Sequence, residues 1–282
     1  MARPRYLITG GSGFLGRTLI QRLVDMGETE VTVVSRSEAN LIVLGDCFPH
    51  IRVIPGDIAD PYVCTRACRG IDRIFHLAAF KHVGLAESNT RQCIATNIIG
   101  TMNLLEETRR TMPEFILGIS TDKAAQVNGV YGASKFLQER LFLEYEQLNS
   151  LTKYRTVRYG NVFYSTASVL CKWKDKLQRG EEIIVTDPAA TRFYLSVEQA
   201  VNIIFNCLAH AQDARAYIAE MKAASIGQLL EVMITKYSLS PHPEIRTTGL
   251  QPGESLHEVL IEGGPNSSQV EQYTNEELYA VV

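Results

Sequence analysis

Tryptophan is nearly absent from this chain, with 1 in 282 residues, and no run of apolar residues approaches the roughly 18 that a membrane-crossing helix needs. The 6 cysteines (Cys47, Cys64, Cys68, Cys93, Cys171 and Cys207) are scattered and form no CxxC pair. That pattern excludes a disulfide framework or a paired-cysteine metal site, and it fits reduced thiols in a reducing compartment. Internal repeats, low-complexity runs and linkers rich in Pro, Gly or Ser are also missing. A formal net charge of -3 gives no purchase on nucleic acid or an anionic membrane, so neither partner is expected. No apolar targeting stretch precedes the first strand in "MARPRYLITGG", and a cytoplasmic location is expected.

What remains is ordinary globular material, 45% hydrophobic and 21% charged, arranged in a regular alternation. "RYLITG", "EVTVVSR", "IRVIPGD", "DRIFHLAA", "EFILGIS" and "YRTVRYGNV" each read as a strand rich in branched residues. Helical spacing lies between them, most clearly over 98–112 and 131–148. Alternating strands and helices mean βαβ units, hence an α/β fold with a Rossmann-type doubly wound parallel sheet. After Asn161 the pattern loosens into helices over 168–178, 197–210 and 225–236 and a short strand in "EEIIVT". The division expected is a dinucleotide-binding domain over 1–162 and, over 163–282, mainly a small C-terminal substrate-binding lobe with some elements returning to the first domain.

"ITGGSGFLGRTL" spaces Gly10, Gly13 and Gly16 as GxxGxxG between the first strand and the first helix. Glycine there lets bare N–H groups reach a pyrophosphate at the positive end of a helix. An NAD site usually carries an acid at the end of the second strand, but "VVSRSE" offers Ser35 and Arg36. A guanidinium grips a 2′-phosphate that a carboxylate would repel, so NADP is expected, unless Arg36 is only a solvated loop charge. Asp57, after the third strand, is placed either to bond an adenine amino group or to sit at a helix N-terminus. Ala78 and Ala79 in "HLAAFKH" are small enough for a dinucleotide to lie against their backbone. His76 and His82 have no third ligand beside them, so no metal site is read.

"STDKAAQVNGVYGASK" runs from a strand end into a helix. Tyr131 and Lys135 form YxxxK on one helix face, and Asp122 and Lys123 stand side by side at the strand end. A phenol near pKa 10 is a poor base at neutral pH; a nearby ammonium lowering it by about three units would stabilise the phenolate by roughly 4 kcal/mol. After a glycine turn and alternating strands, that pair resembles the catalytic pair of short-chain dehydrogenases/reductases. A free lysine is neutral in only about one part in two thousand at pH 7. For Lys123 to act as a base, desolvation or Lys135 must depress its pKa, with Asp122 and Lys123 sharing one proton. An exposed ion pair at a strand end is the plainer alternative.

In order, "ITGGSGFLG", "AAFKHVGLAE", "STDKA...VYGASK", "RYGNV", "TDPAATRFYLSVEQA" and "PGESLHEVLI" resemble the inverting UDP-N-acetylglucosamine 4,6-dehydratases across nearly the whole chain. These belong to the extended short-chain dehydrogenases/reductases, and their retaining relatives carry two acids where this chain has Asp-Lys. The resemblance implies Tyr131 as the base at oxygen 4, Lys123 as the base at carbon 5 and Asp122 as the acid at the carbon 6 hydroxyl. It implies Lys135 beside the cofactor ribose. It also implies Phe14, Leu15, Ile58, Lys81 and Asn97 at the cofactor, and Lys81, Thr121, Asn161, Ser168 and Arg192 at a nucleotide-sugar substrate, UDP-N-acetylglucosamine foremost. A homo-oligomer is the expected assembly. Two places depart from the family: the usual GSRGS is "FYSTAS" here and RPGEK is "QPGES", putting Thr166 and Gln251 where cations are expected. A nucleotide-sugar 4-epimerase and an inactive NADP-sensing protein remain as alternatives.

Overall fold

The branched and aromatic runs become strands in a computed structural model, which describes residues 3–282. In chain order they are β1 (Tyr6–Thr9), β2 (Val31–Ser35), β3 (Arg52–Pro55), β4 (Arg73–His76), β5 (Phe115–Thr121), β6 (Lys153–Tyr159), β7 (Asn161–Val162), β8 (Ile183–Val185), β9 (Thr191–Leu195), β10 (Ala216–Ile218), β11 (Ala223–Ser225) and β12 (Ile245–Thr247). The helices are α1 (Phe14–Asp25), α2 (Glu38–Cys47), α3 (Pro61–Cys68), α4 (Val83–Ser88), α5 (Thr90–Ile94), α6 (Gly100–Thr111), α7 (Val130–Leu148), α8 (Val169–Arg179), α9 (Val197–His210), α10 (Ile226–Tyr237) and α11 (Asn275–Val281). A π-helical turn, Ala95–Ile99, joins α5 to α6, so the helical run read from residue 98 begins earlier and with a wider first turn.

The main sheet has 7 strands in the order β10-β6-β5-β4-β1-β2-β3, with every neighbouring pair parallel. Such strands are covered on both faces, which is why β1 reads as a continuous apolar run and is buried throughout. Its alternate residues serve two layers. Ile8 faces Leu19 and Leu23 of α1 and Val201 and Ile204 of α9, while Leu7 faces Leu104 of α6 and Phe142 of α7. The chain winds from β1 out to β3, then returns to place β4 on the other side of β1. This is a Rossmann-type doubly wound α/β fold, and the reversal opens a crevice beyond the strand ends, between β1 and β4.

A second core lies away from that sheet, built on Trp173 and Leu177 of α8, Leu229 and Met233 of α10, and Leu278 of α11. The run 154–162, read as one strand, breaks at Gly160, where a Cβ would lie 2.5 Å from the Cβ of Phe193. There the chain leaves the main sheet, and β7 joins a 3-stranded sheet of order β11-β9-β7. Helix α9 and strand β10 then return to the first core and the main sheet.

Candidate active site

Beyond β1 the chain turns at Gly10, whose φ of +71° is left-handed and whose Cβ would lie 2.8 Å from the backbone of Ala78. Gly16 leaves no room for a Cβ against Gly11, so the first turn of α1 packs tightly on the loop before it. Gly13 starts α1 without a side-chain cap, and the first turn, with Phe14 and Leu15, holds no acid. Open N–H groups at the end of a 12-residue helix, at the topological switch, suit a pyrophosphate. Ser12 donates to the Ser35 Oγ at 2.7 Å, and Arg17 Nε donates to the Ser12 carbonyl at 3.2 Å. Next to this corner is a cavity of about 360 Å³ lined by Arg36, Glu38, Pro55, Gly56 and Asp57. Its glycine backbone and single cation, Arg36, beside the acids Glu38 and Asp57, could take the adenosine end of a dinucleotide.

Several expected contacts fall elsewhere. Asp57 does not cap a helix: its Oδ1 accepts from Ala59 N at 3.0 Å, and Asp60 caps α3. The Ile58 side chain is buried in the core against Gly100 of α6, so it does not face the crevice. Asn97, fully buried in the π turn, has Oδ1 accepting from Phe80 N at 2.7 Å and Nδ2 donating to Phe80 O at 2.9 Å and Ser134 Oγ at 2.8 Å. That side chain fixes the loop after β4, where Ala78 and Ala79 are half-buried, and does not touch the crevice itself. His76 lies between Thr9 Oγ1 at 2.8 Å and Thr101 Oγ1 at 3.0 Å, and burial holds its pKa down to about 3, with Lys135 adding to the effect. It is a neutral core histidine.

At the end of β5, Asp122, Lys123 and Ala124 form one 3₁₀ turn. The buried Asp122 carboxylate accepts through Oδ1 from Thr121 Oγ1 at 2.8 Å, Lys123 N at 2.9 Å and Lys123 Nζ at 3.1 Å. Its Oδ2 is buried without a partner. On its other side Lys123 Nζ lies 3.4 Å from Glu258 Oε1, and that oxygen is 3.7 Å from Arg192 Nε. The first turn of α7 rests on this turn because Gly132 has no Cβ to strike the Lys123 carbonyl. Tyr131 is thereby set beside the pair, and Glu87 of α4 accepts from Val130 N at 2.6 Å to cap the helix start.

Electrostatics overturns two expectations. Burial acts to lower the Lys123 ammonium, but the Asp122 and Glu258 carboxylates outweigh it and hold its pKa above the ordinary lysine value. Lys123 is not depressed. Burial pushes the Tyr131 phenol up to about 12, and the cation that opposes this is Lys123. Lys135 is turned away: its Nζ donates to the Ile119 carbonyl at 2.6 Å and to Gln138 Oε1 at 2.7 Å, and burial lowers its pKa to about 8.

Among the candidate substrate residues, Thr121 ends β5, Asn161 opens β7 and Ser168 precedes α8. Lys81 Nζ donates to the Thr166 carbonyl at 3.3 Å, which brings the loop after β4 against the loop between β7 and α8. Arg192, expected to be a free cation for the substrate, is buried: its Nη1 donates to Thr191 O at 2.8 Å and Leu256 O at 3.2 Å, and its Nε faces Glu258. Tyr164 and Ala167 have φ of +54° and +62°, and both stand where the GSRGS pattern has glycine. Glu258 was passed over in the sequence, although a lone acid inside the apolar run of "LHEVLI" is the signal that would have found it.

Residues 6–281 match the family described as polysaccharide biosynthesis protein. An uncharacterized membrane protein of Methanocaldococcus jannaschii is 35% identical over 264 residues, which cover 90% of this chain and 79% of the relative. An inverting UDP-N-acetylglucosamine 4,6-dehydratase of Campylobacter jejuni is 31% identical over 265 residues, covering 92% and 78%. A UDP-glucose 4-epimerase of Rickettsia canadensis is 28% identical over 265 residues, covering 90% and 76%. The X-ray structure of Pen from Bacillus thuringiensis superposes with a TM-score of 0.93 at 28% identity, over 98% of this chain and 96% of that one. Among the described residues no helix is long and apolar enough to cross a membrane.

Proposed function

The chain belongs to the polysaccharide biosynthesis protein family, and from that premise we propose that it is an NADP-dependent nucleotide-sugar 4,6-dehydratase, acting on UDP-N-acetylglucosamine with inversion at carbon 5. The buried Asp122–Lys123 pair beside Tyr131 carries the reading. Epimerisation at carbon 4 needs one proton moved at oxygen 4, whereas loss of water across carbons 5 and 6 needs a further base and a further acid. Bound NADP would supply a hydride acceptor for carbon 4 and a donor for carbon 6. Gly10, Gly13 and Gly16 would hold its pyrophosphate, Ser35, Arg17 and Arg36 its 2′-phosphate, and Lys135, on exchanging its Gln138 contact, its ribose. Tyr131 would take the oxygen 4 proton, Lys123 the carbon 5 proton, and Asp122 would give a proton to the leaving hydroxyl.

The lobe built on α8, α10 and α11 is the proposed seat of the nucleotide. Its phosphate contacts differ from those of the resembling family, because Thr166 and Gln251 carry no charge and Arg192 is engaged by Glu258. A homo-oligomer is supported by exposed apolar residues on neighbouring helices: Leu85, Ile94, Ile99, Met102 and Leu137. The test is to incubate the NADP-loaded protein with UDP-N-acetylglucosamine. Loss of one water, seen by mass spectrometry, and a transient NADPH absorbance support the dehydratase. An isomerised sugar of unchanged mass assigns the 4-epimerase reading, which the similarity to the Rickettsia enzyme favours. Tight NADP binding with no turnover of any nucleotide sugar leaves a cofactor-sensing protein.

A further inference from the structure

Glu258 enters the site from the far lobe. Its segment crosses from Gly253, where a Cβ would lie 3.0 Å from Glu87 Oε1, to Ser255, whose Oγ accepts from Asn128 Nδ2 at 2.6 Å. Leu256 then accepts from Arg192, and Glu258 N donates to Ser267 Oγ at 2.9 Å. Every anchor delivers the carboxylate to the same place, 3.4 Å from Lys123 Nζ, with the side chain 3% exposed. Burying a carboxylate is costly unless something uses its charge, and Oε1 here makes no hydrogen bond.

We propose, resting on the dehydratase reading, that Glu258 is a positioning residue for Lys123: it fixes the amine from the side opposite Asp122, so that the amine stays aimed at one place while its proton comes and goes. Four charges meet in the resting site. With both carboxyls ionised and both cations protonated their sum is zero; burial acts to raise the Glu258 carboxyl above its ordinary range, and Lys123 and Arg192 pull against it. Moving one proton from Lys123 Nζ to Asp122 leaves a neutral amine and a neutral acid, with Glu258 still paired to Arg192. No net charge is created in the buried site by that shift. In the elimination the carbon 5–hydrogen bond breaks and its proton forms an N–H bond on Lys123. The released electron pair becomes the carbon 5–carbon 6 double bond. The carbon 6–oxygen bond breaks, and the oxygen takes the Asp122 proton and leaves as water. The four charges return to their resting values, and the ammonium just formed faces Glu258. Lys123 Nζ meets Asp122 through Oδ1, at 3.1 Å, which is the oxygen in line to receive that proton.

The experiment uses Glu258→Gln and Glu258→Asp in the NADP-loaded protein. Lys123 is followed by carbon-13 NMR of its Cε across pH 7 to 11, with Lys123→Arg to assign the signal. Asp122, Arg192, Tyr131 and Tyr194 are the other charged or titratable groups that act on this cluster, and all are retained. Lys123 in the wild type is expected to stay protonated across the range, in Glu258→Gln to titrate at least one unit lower, and in Glu258→Asp to lie between. With UDP-N-acetylglucosamine, Glu258→Gln has two opposing effects: a lower Lys123 pKa favours the neutral amine, and the amine is no longer held against Asp122. The positioning role predicts that the second outweighs the first, so the transient NADPH signal stays within about threefold while water loss slows about tenfold or more with KM little changed. Glu258→Asp should recover part of that rate. Identical Lys123 titration in wild type and Glu258→Gln overturns the pairing whatever the reaction proves to be. Unimpaired water loss, or equal loss of both signals, overturns the positioning role. A wild type that forms no dehydrated product, with the titration shift intact, overturns the dehydratase reading and its catalytic role for Glu258.

Discussion

The Arg36 guanidinium lies 3.5 Å from the Asp57 carboxylate at the mouth of the cavity proposed for adenosine. A phosphate on the ribose would therefore meet a cation already partnered by an acid. Arg36→Ala should weaken NADP by about 1.5 to 3 kcal/mol, roughly ten- to a hundredfold, and leave NAD nearly unchanged. Asp57→Asn should act the other way, tightening NADP relative to NAD, because it frees the guanidinium and removes a repelling charge. Calorimetric titration of both cofactors decides; parallel changes for NADP and NAD in either variant would remove the phosphate from this corner.

Tyr131→Phe and Lys123→Ala should stop the reaction at different stages. Without the phenol no proton leaves oxygen 4, so the transient NADPH absorbance should vanish and turnover should fall by about 10² to 10⁴. Lys123→Ala should retain that absorbance and lose water elimination, with no solvent deuterium entering carbon 5. Stopped-flow absorbance together with mass analysis in deuterated water separates the two; dehydration by Lys123→Ala at near wild-type rate would show that another group is the base.

His76 should make the protein sensitive to acid. Its folded pKa of about 3 lies below the ordinary value near 6.5, so between these the unfolded chain binds a proton that the folded one refuses. The stability is whole above about 6.5 and is lost as pH falls, by roughly 2 to 3 kcal/mol at pH 4.5. His76→Gln, which can still bridge Thr9 and Thr101, should flatten this decline. Urea unfolding of both proteins at pH 7 and 4.5 measures it, and equal losses would mean that the acid sensitivity arises elsewhere.

The two left-handed residues before α8 should respond in opposite directions. Ala167→Gly relieves an unfavourable backbone conformation and should gain about 1 kcal/mol, seen as a higher Tm. Tyr164→Gly relieves the same strain but strips a ring packed on the second core, whose hydroxyl donates to Tyr237 at 3.3 Å, and should lose about 2 kcal/mol. A gain in both would mean that the Tyr164 ring contributes little.

Local pattern made the main sheet legible: branched runs in β1, β2, β4, β5 and β6, and helical spacing in α7 and α9, survive into the structure almost unchanged. The glycine turn was legible for the same reason, since Gly10 and Gly16 answer to backbone contacts close in sequence or across one strand. The electrostatics was not. Spacing puts Lys135 on the Tyr131 face of α7, but only the fold shows the Ile119 carbonyl and Gln138 taking its ammonium. Asp122 and Lys123 are neighbours in any conformation. Their protonation depends on Glu258, which reaches them through tertiary structure that no local window contains.

The small sheet of β7, β9 and β11 holds together the stretches where the chain passes between the two cores: one leaving after β6, one returning ahead of α9 and one leaving after β10. Hydrogen bonds tie Asn161 and Val162 to Tyr194 and Leu195, and Ala223 to Phe193. Three separate tethers would leave each passage to be fixed on its own, whereas here one ladder of backbone bonds fixes all three in register. Arg192 lies on the middle strand and leads through Glu258 to Lys123, so the candidate base is tied to the same small sheet that joins the two cores.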